Sequence, residues 1–432
     1  MSQPQVRRAT DGDEGRTAAV AQRSTRRGEL DLLRAVVVAG LVLFHSAVIF
    51  GPGEFPVKAA REHAVAAVFV AFGATWGMPL LFVVSGMGVW YSLGSRGPWA
   101  FAQERVRRLL VPLLVGVLAI VPLQVYLGLR RAGDVGSYTG FYRRWLKVRL
   151  SPDFPFVVKA ARPDGLFETG HLWFLVCLLA FSLLLLPGFV FLRRPGGRRL
   201  LERLAGVLAR PGTILLLALP LVAVEVPLGS EVGLAAWNRY SYALFLAYGY
   251  LAAAGPAIAA AFDRHWRPAL ALAVVLFVAG GAAYAAAEAG GGDPFVDTDL
   301  ASVIFRMLKT VDGWLWVIAI LGTARSGLAR ISRAAARASS DGSAGRSWLR
   351  RLGRYSNEAV LPFYVLHETV IVVVAYVVLT WRTGAGLQYC LIVLASLAAT
   401  LLLYDLGVRR TRLTRFLFGL KPTRGSQPTT AH

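Results

Sequence analysis

The chain has six histidines, and three of them stand in or beside apolar runs with charged neighbours. His45 lies in Leu30–Phe50, LDLLRAVVVAGLVLFHSAVIF, which also carries Asp31 and Arg34. A charge at the centre of a membrane-spanning helix costs ~2.5–3.5 kcal/mol on insertion scales, so an ordinary anchor helix would not keep these side chains. Arg34 and His45 are eleven residues apart. At roughly 100° per residue this sets them about 20° from one face, and Asp31 falls on the same side. An imidazole near its ordinary pKa can accept a proton from an alcohol. A guanidinium can orient a phosphate or a carboxylate. The plainer readings are a hydrogen bond from His45 to a neighbouring helix and a snorkelling Arg34 at the helix start.

The same weighing applies along the chain. SNEAVLPFYVLHETV, Ser356 to Val370, puts His367 and Glu368 near the middle of an apolar run, as a second site candidate. GHLWFL, Gly170 to Leu175, begins another run. There Trp173 suits an interfacial belt, and His171 either sits in the interface or reaches into a site. Arg105 and Arg108 in FAQERVRRLLVP are three apart, hence near one helix face. They serve topology or bind phosphate. Arg306, Lys309 and Asp312 either neutralise one another or continue a polar cavity, and Arg239 is similar. Ser85-Gly86 reads as close helix packing, or less readily as a serine nucleophile without a supporting motif. No His, Asp and Glu set has metal-ligand spacing, so no metal is expected.

These residues need a scaffold, and composition defines its class. The chain is 56% hydrophobic with a mean hydropathy of +0.53. Apolar runs of membrane length recur throughout and do not alternate as β-barrel strands would. We expect an all-α polytopic membrane protein, a bundle of about ten transmembrane helices. The segments are Leu30–Phe50, Ala64–Leu93, Leu109–Leu129, Leu172–Leu192, Thr213–Leu228, Tyr240–Ala260, Pro268–Ala287, Ser302–Thr323, Val360–Thr380 and Leu387–Val408. Thr213–Leu228, with Pro220 and Glu225, is the least regular.

The net charge of +22 sits in the connections between runs. The positive-inside rule explains it better than nucleic-acid binding, for which no motif is present. Arg-rich Arg193–Arg210 and Arg325–Arg354 then face the cytoplasm, as do both termini. Acidic Glu288–Asp299 lies outside. The first run reads as a retained anchor in a bacterial-type inner (plasma) membrane, since no small-residue cleavage site follows it. Residues 1–29 form a basic, disordered tail, 30–408 the transmembrane domain, and 409–432 a second cytoplasmic tail. Cys177 and Cys390 suggest no disulfide framework. The connection Arg130–Gly170 resists the rule, being basic yet placed outside. Its YTGFYRRWLKVRL stretch reads as an interfacial helix or as a surface over an anionic or sugar substrate.

Several motifs occur together in order. LDLLR ends in FH at His45, FVVSG covers Phe82–Gly86, and the Arg105/Arg108 pair precedes LLVP. HLWFL spans His171–Leu175, WLW spans Trp314–Trp316, and FYVLHE spans Phe363–Glu368. From about Glu29 to Arg410 the chain resembles the acyltransferase-3 membrane O-acyltransferases, in particular the branch that includes glucan-biosynthesis protein C. The resemblance implies transfer of an acyl group, acetyl or succinyl, from a cytoplasmic thioester such as acyl-CoA to a hydroxyl of an extracytoplasmic carbohydrate. It places His45 and Arg34 at the reaction centre and the Arg105/Arg108 pair near the donor. His367 joins them as a catalytic candidate, His171 as catalytic or substrate-binding, and Trp173, Arg306 and Glu368 as substrate-binding. Acyl-CoA is the expected co-substrate, with no permanently bound cofactor. Direct transfer and prior acylation of His45 or Ser85 both remain open.

A transporter or flippase for an anionic glycan or lipid would use the same buried polar residues as a pathway. The absence of visible internal repeats weighs against it. A non-catalytic scaffold would tolerate replacement of the polar stripe by apolar residues.

Overall fold

The computed structural model describes residues 33–134, 136–338 and 343–421, with side chains for all of these but 328–352 and 354. The N-terminal tail, Asp31 and the end of the C-terminal tail lie outside them. The described parts of the ten apolar segments are largely helical, but Tyr240–Ala260 runs across a break at Gly255 and Leu172–Leu192 takes in a separate short helix, Leu186–Phe191. Five helices are long and apolar enough to cross a bilayer: Ala64–Ser95 (α2), Pro98–Arg131 (α3), Pro256–Ala289 (α9), Tyr355–Val378 and Ala385–Val408 (α12). Three shorter apolar helices are Leu33–Val48 (α1), Gly170–Leu184 (α5) and Thr213–Leu228 (α7). The remaining two segments fall in Arg239–Ala254 (α8) and Leu300–Ala338 (α10). Tyr355–Val378 is the apolar part of a longer helix, Ser343–Val378 (α11), and an amphipathic helix, Pro195–Leu208 (α6), joins α5 to α7. The protein is thus an all-helical membrane protein, apart from one short hairpin described below.

Packing follows from where the side chains have no water to meet. In hydrocarbon every backbone group must bond within its own helix, so helices are the natural spanning element. Val274, Val275 and Val278 of α9 face outward, as do Leu394, Leu401 and Leu402 of α12, which suits a lipid-facing surface. Helix α9 packs along α10, α8 along α2, and α11 against α12 and α3. The α2–α8 contact is unusually close. A Cβ added at Gly86 would strike the Leu246 carbonyl, and one at Gly249 the Val83 carbonyl. Small residues allow such approach where packing rather than hydrophobic transfer holds helices together. This accounts for the Ser85-Gly86 pair as a packing element.

Helix α3 is not a plain α-helix. It widens into π-turns at Val106–Leu110 and Gly116–Ile120, just before Pro112 and Pro122. Proline supplies no N–H and its ring crowds the carbonyl four residues back, so the helix opens there. The freed carbonyls find other donors. Tyr142 Oη donates to Leu118 O at 2.8 Å, and Trp145 Nε1 to Val117 O at 3.1 Å. Both donors belong to a short helix, Tyr138–Trp145 (α4), which Ser137 caps through its hydroxyl.

The basic connection between α3 and α5 therefore contains a helix, but one that packs on the bundle. Its continuation is a hairpin of Val148–Leu150 (β1) with antiparallel Val158–Ala160 (β2). Among the described residues, three of the eight cations in Arg130–Gly170 are paired locally: Lys147 with Asp164 at 2.5 Å, Arg144 with Asp134 at 3.9 Å, and Lys159 with Asp153. Arg239 is also held here, by Asp153 and Glu231.

The start of the expected C-terminal tail is also structured. Arg412–Leu417 is helical, and the largely buried Arg415 donates to Glu358 Oε1 at 2.5 Å. Of the two cysteines, both free, Cys177 is buried and Cys390 exposed.

Candidate active site

The site assembles where α1, α5 and α11 meet. On α11, Tyr364, His367 and Glu368 lie three and four residues apart and so share a face. Helix α1 brings His45 to that face. Its Nδ1 lies 3.5 Å from Glu368 Oε2, and its ring centroid 5.2 Å from that of His367. His171, in the 3₁₀ turn that opens α5, approaches from the other side. Its Nδ1 lies 3.5 Å from Glu368 Oε1, and its ring 5.2 Å from His367. One carboxylate thus stands between two imidazoles, with the third imidazole against both.

The backbone sets which nitrogens are committed. His171 Nε2 faces the Val365 carbonyl at 3.2 Å, so it donates there. Its buried Nδ1, the nitrogen nearer Glu368, makes no hydrogen bond. Tyr364 Oη donates to the His171 carbonyl and fixes the turn. His367 Nδ1 lies 2.7 Å from the Tyr364 carbonyl, which leaves its Nε2 fully buried and without a partner. His45 differs from the other two. Its side chain keeps 19% of its surface, against 3% for His171. Nδ1 is the ring nitrogen of His45 turned to Glu368, so Nε2 lies on the side of the ring away from the carboxylate.

Two polar residues that the sequence alone did not single out complete the network. Gln124 of α3 is almost fully buried and donates from Nε2 to Glu368 Oε1 at 3.1 Å. Thr369 Oγ1 donates to Gln124 Oε1 at 2.9 Å. The available signal for Gln124 was its polarity within an apolar run, VPLQVYL. Glu168, just before the His171 turn, keeps an exposed face. Burial by surrounding protein, then the charges of Glu368 and Glu54, push its carboxyl up to about 7.

The arginines gather toward the other end of α1. Arg34 donates from a terminal guanidinium nitrogen to the Val84 carbonyl at 3.3 Å. Arg105 stacks over Phe101, and Arg108, Arg34 and Arg96 all lie within its electrostatic reach. Arg96 pairs with Glu104. Like charges converging on one spot favour an anionic ligand, and planar guanidinium groups match phosphate oxygens.

Other expected site residues are used elsewhere. Arg306 is fully buried and donates to the Asp297 carbonyl at 2.6 Å and the Pro294 carbonyl at 3.1 Å, fastening the connection between α9 and α10. Lys309 pairs with Glu225 at 3.3 Å in a buried cluster with Ser230. Trp173 contacts Tyr242, with ring centroids 5.2 Å apart, in the wall behind His171. Among the described residues no group of three or more His, Cys, Asp or Glu could hold a metal ion.

A carboxylate-linked histidine cluster thus stands in a membrane bundle, with an arginine cluster toward the other end of α1. A family model described as an acyltransferase domain matches residues 27–405. The chain belongs to the acyltransferase-3 family and is a membrane acyltransferase. No curated protein and no solved structure matches it.

Proposed function

We propose that the protein transfers an acetyl or succinyl group from a cytoplasmic acyl thioester, such as acyl-CoA, to a hydroxyl of an extracytoplasmic carbohydrate or glycan, with His45 as general base. The observation that carries this reading is the Glu368 carboxylate, 3.5 Å from Nδ1 of the partly accessible His45. A carboxylate on Nδ1 holds the imidazole in the tautomer that leaves Nε2 free to accept a proton, and it stabilises the imidazolium that forms.

In the reaction, the acceptor O–H passes its proton to His45 Nε2 as its oxygen attacks the thioester carbonyl. The new C–O bond forms and the C–S bond breaks. The leaving thiolate then takes the proton from His45. Phosphates of the donor bind among Arg34, Arg96, Arg105 and Arg108. From Arg34 to His45 the helix rises about 16 Å, a distance that an extended thioester arm must bridge. The acceptor reaches His45 from the opposite end, past His171 and the α3–α5 connection, where Tyr126, Phe141 and Arg144 line a small cleft. This places the arginine end, and both termini, on the cytoplasmic side of a bacterial-type plasma membrane crossed about ten times. The acceptor class suggested by the motif order is a glucan.

The test uses proteoliposomes containing the purified protein, with acetyl-CoA or succinyl-CoA on one side and glucan oligosaccharides on the other. Acyl ester on the glycan, lost in His45→Ala protein of matched folding, is the expected result. Undiminished transfer by the variant overturns the general-base role.

A further inference from the structure

The polar chain behind Glu368 makes no contact with His45, yet every link in it is directional. Thr369 Oγ1 donates to Gln124 Oε1 at 2.9 Å. That bond leaves the amide nitrogen of Gln124 facing Glu368 Oε1, to which it donates at 3.1 Å. Glu368 Oε2 then faces His45 Nδ1 at 3.5 Å. Were the Gln124 amide reversed, its oxygen would face a carboxylate oxygen, two acceptors with no proton between them. The carboxylate, which only accepts, therefore decides the orientation of the amide, and the Thr369 hydroxyl secures the amide oxygen and through it the position of the carboxylate.

The surrounding backbone is shaped to admit the amide. Gly170 has φ +49, and a Cβ built there would lie 2.7 Å from Gln124 Nε2. The residue before His171 is thus one whose missing side chain leaves room for Gln124. The π-turn before Pro122 sits directly ahead of Gln124, and Thr369 Oγ1 also reaches the Ile120 carbonyl of that turn at 3.4 Å.

We infer that Gln124 and Thr369 are positioning residues for the acyl transfer, acting through Glu368 to hold the His45 imidazole in its proton-accepting orientation. This rests on the reading of His45 given under the proposed function. Neither residue touches the reacting atoms. Losing the neutral Thr369–Gln124 bond should lower kcat roughly five- to tenfold, and losing the bond from Gln124 to the carboxylate by more, with little effect on the KM for the thioester.

The test has a readout that does not depend on turnover. With only six histidines in the chain, ¹⁵N-histidine NMR of the protein in nanodiscs is assignable by single substitutions. Thr369→Val and Gln124→Met should each move the His45 Nδ1 resonance in the direction that Glu368→Gln moves it. Thr369→Ser, which restores the hydroxyl, should return it. In the double variant Gln124→Met/Glu368→Gln the effect of the glutamine should vanish, since its route to His45 is gone. Unchanged His45 resonances in Thr369→Val and Gln124→Met, when Glu368→Gln shifts them, overturn the inference. So does a Thr369→Ser protein that behaves as Thr369→Val. Retained transfer in His45→Ala would overturn the general-base reading instead and leave the spectroscopic result standing.

Discussion

His45 and Glu368, from the first and the eleventh helix, meet with Nδ1 and Oε2 3.5 Å apart, and Glu368 makes the same approach to His171 with its other oxygen. The carboxylate is nearly buried, so its charge is screened little by solvent and acts strongly on both rings. Removing the base should cost about 10²–10⁴-fold in turnover. His45→Ala is expected in that range, with Glu368→Gln less severe, because the imidazole survives but loses its orienting partner. Steady-state rates of thioester-dependent glycan acylation, normalised to folded protein, check both.

The arginine cluster should act on the donor alone. Arg105→Ala and Arg108→Ala are each expected to raise the KM for acyl-CoA about tenfold or more, the scale of one charge-assisted hydrogen bond, while kcat changes little. Rising ionic strength should weaken donor binding to the wild-type protein more than to the variants, because fewer charges remain to be screened. Unaltered KM in both variants would restrict these residues to topology.

Close packing of α2 on α8 makes a sharp stability prediction. Gly86→Ala and Gly249→Ala each drive a Cβ into a backbone carbonyl that cannot rotate away. Overpacking of this kind costs ~1–3 kcal/mol or more. A lowered thermal midpoint in detergent is expected for both, whereas Gly40→Ala, which meets open space inside a helix, should leave it unchanged or slightly raised.

Glu168 gives a pH dependence whose sign can be worked out. Its carboxyl titrates near about 7 in the folded chain, against 4.5 as the ordinary value. Between those values the folded state binds the proton and the unfolded state does not, so stability from this group is full at low pH and is lost as pH rises through about 7. Solvent at its exposed face screens part of the effect. Glu168→Gln should therefore flatten the fall in melting temperature between pH 5 and pH 8, as read by scanning fluorimetry.

The sequence made the individual chemistry legible because membrane segments tolerate few polar residues. His45, His171, His367 and Glu368 each stood out against apolar neighbours, and the structure puts all four in one cluster. The helices were legible for the same reason, though the breaks at Leu185 and Gly255, inside two of the apolar runs, were not. What spacing does not carry is the neighbour across the bundle. Arg306 has the same chemical type as Arg34, but the loop carbonyls of Pro294 and Asp297 claim it. Gln124 carries no charge to draw notice, and its partners on α11 lie far along the chain. In the α3–α5 connection the cations were visible in sequence, while the pairing of three of them with Asp134, Asp153 and Asp164 was not.

The placement of His45 on α1 and Glu368 on α11 also orders events during synthesis. The imidazole leaves the ribosome among the first helices, and its carboxylate among the last. For most of translation the nascent chain holds half of its centre in the bilayer, chemically inert. On the proposed mechanism, reactivity toward the thioester is expected only once α11 docks against the helices already inserted. A chain cut between α10 and α11 should consequently be silent as either fragment and regain turnover when the two are co-expressed.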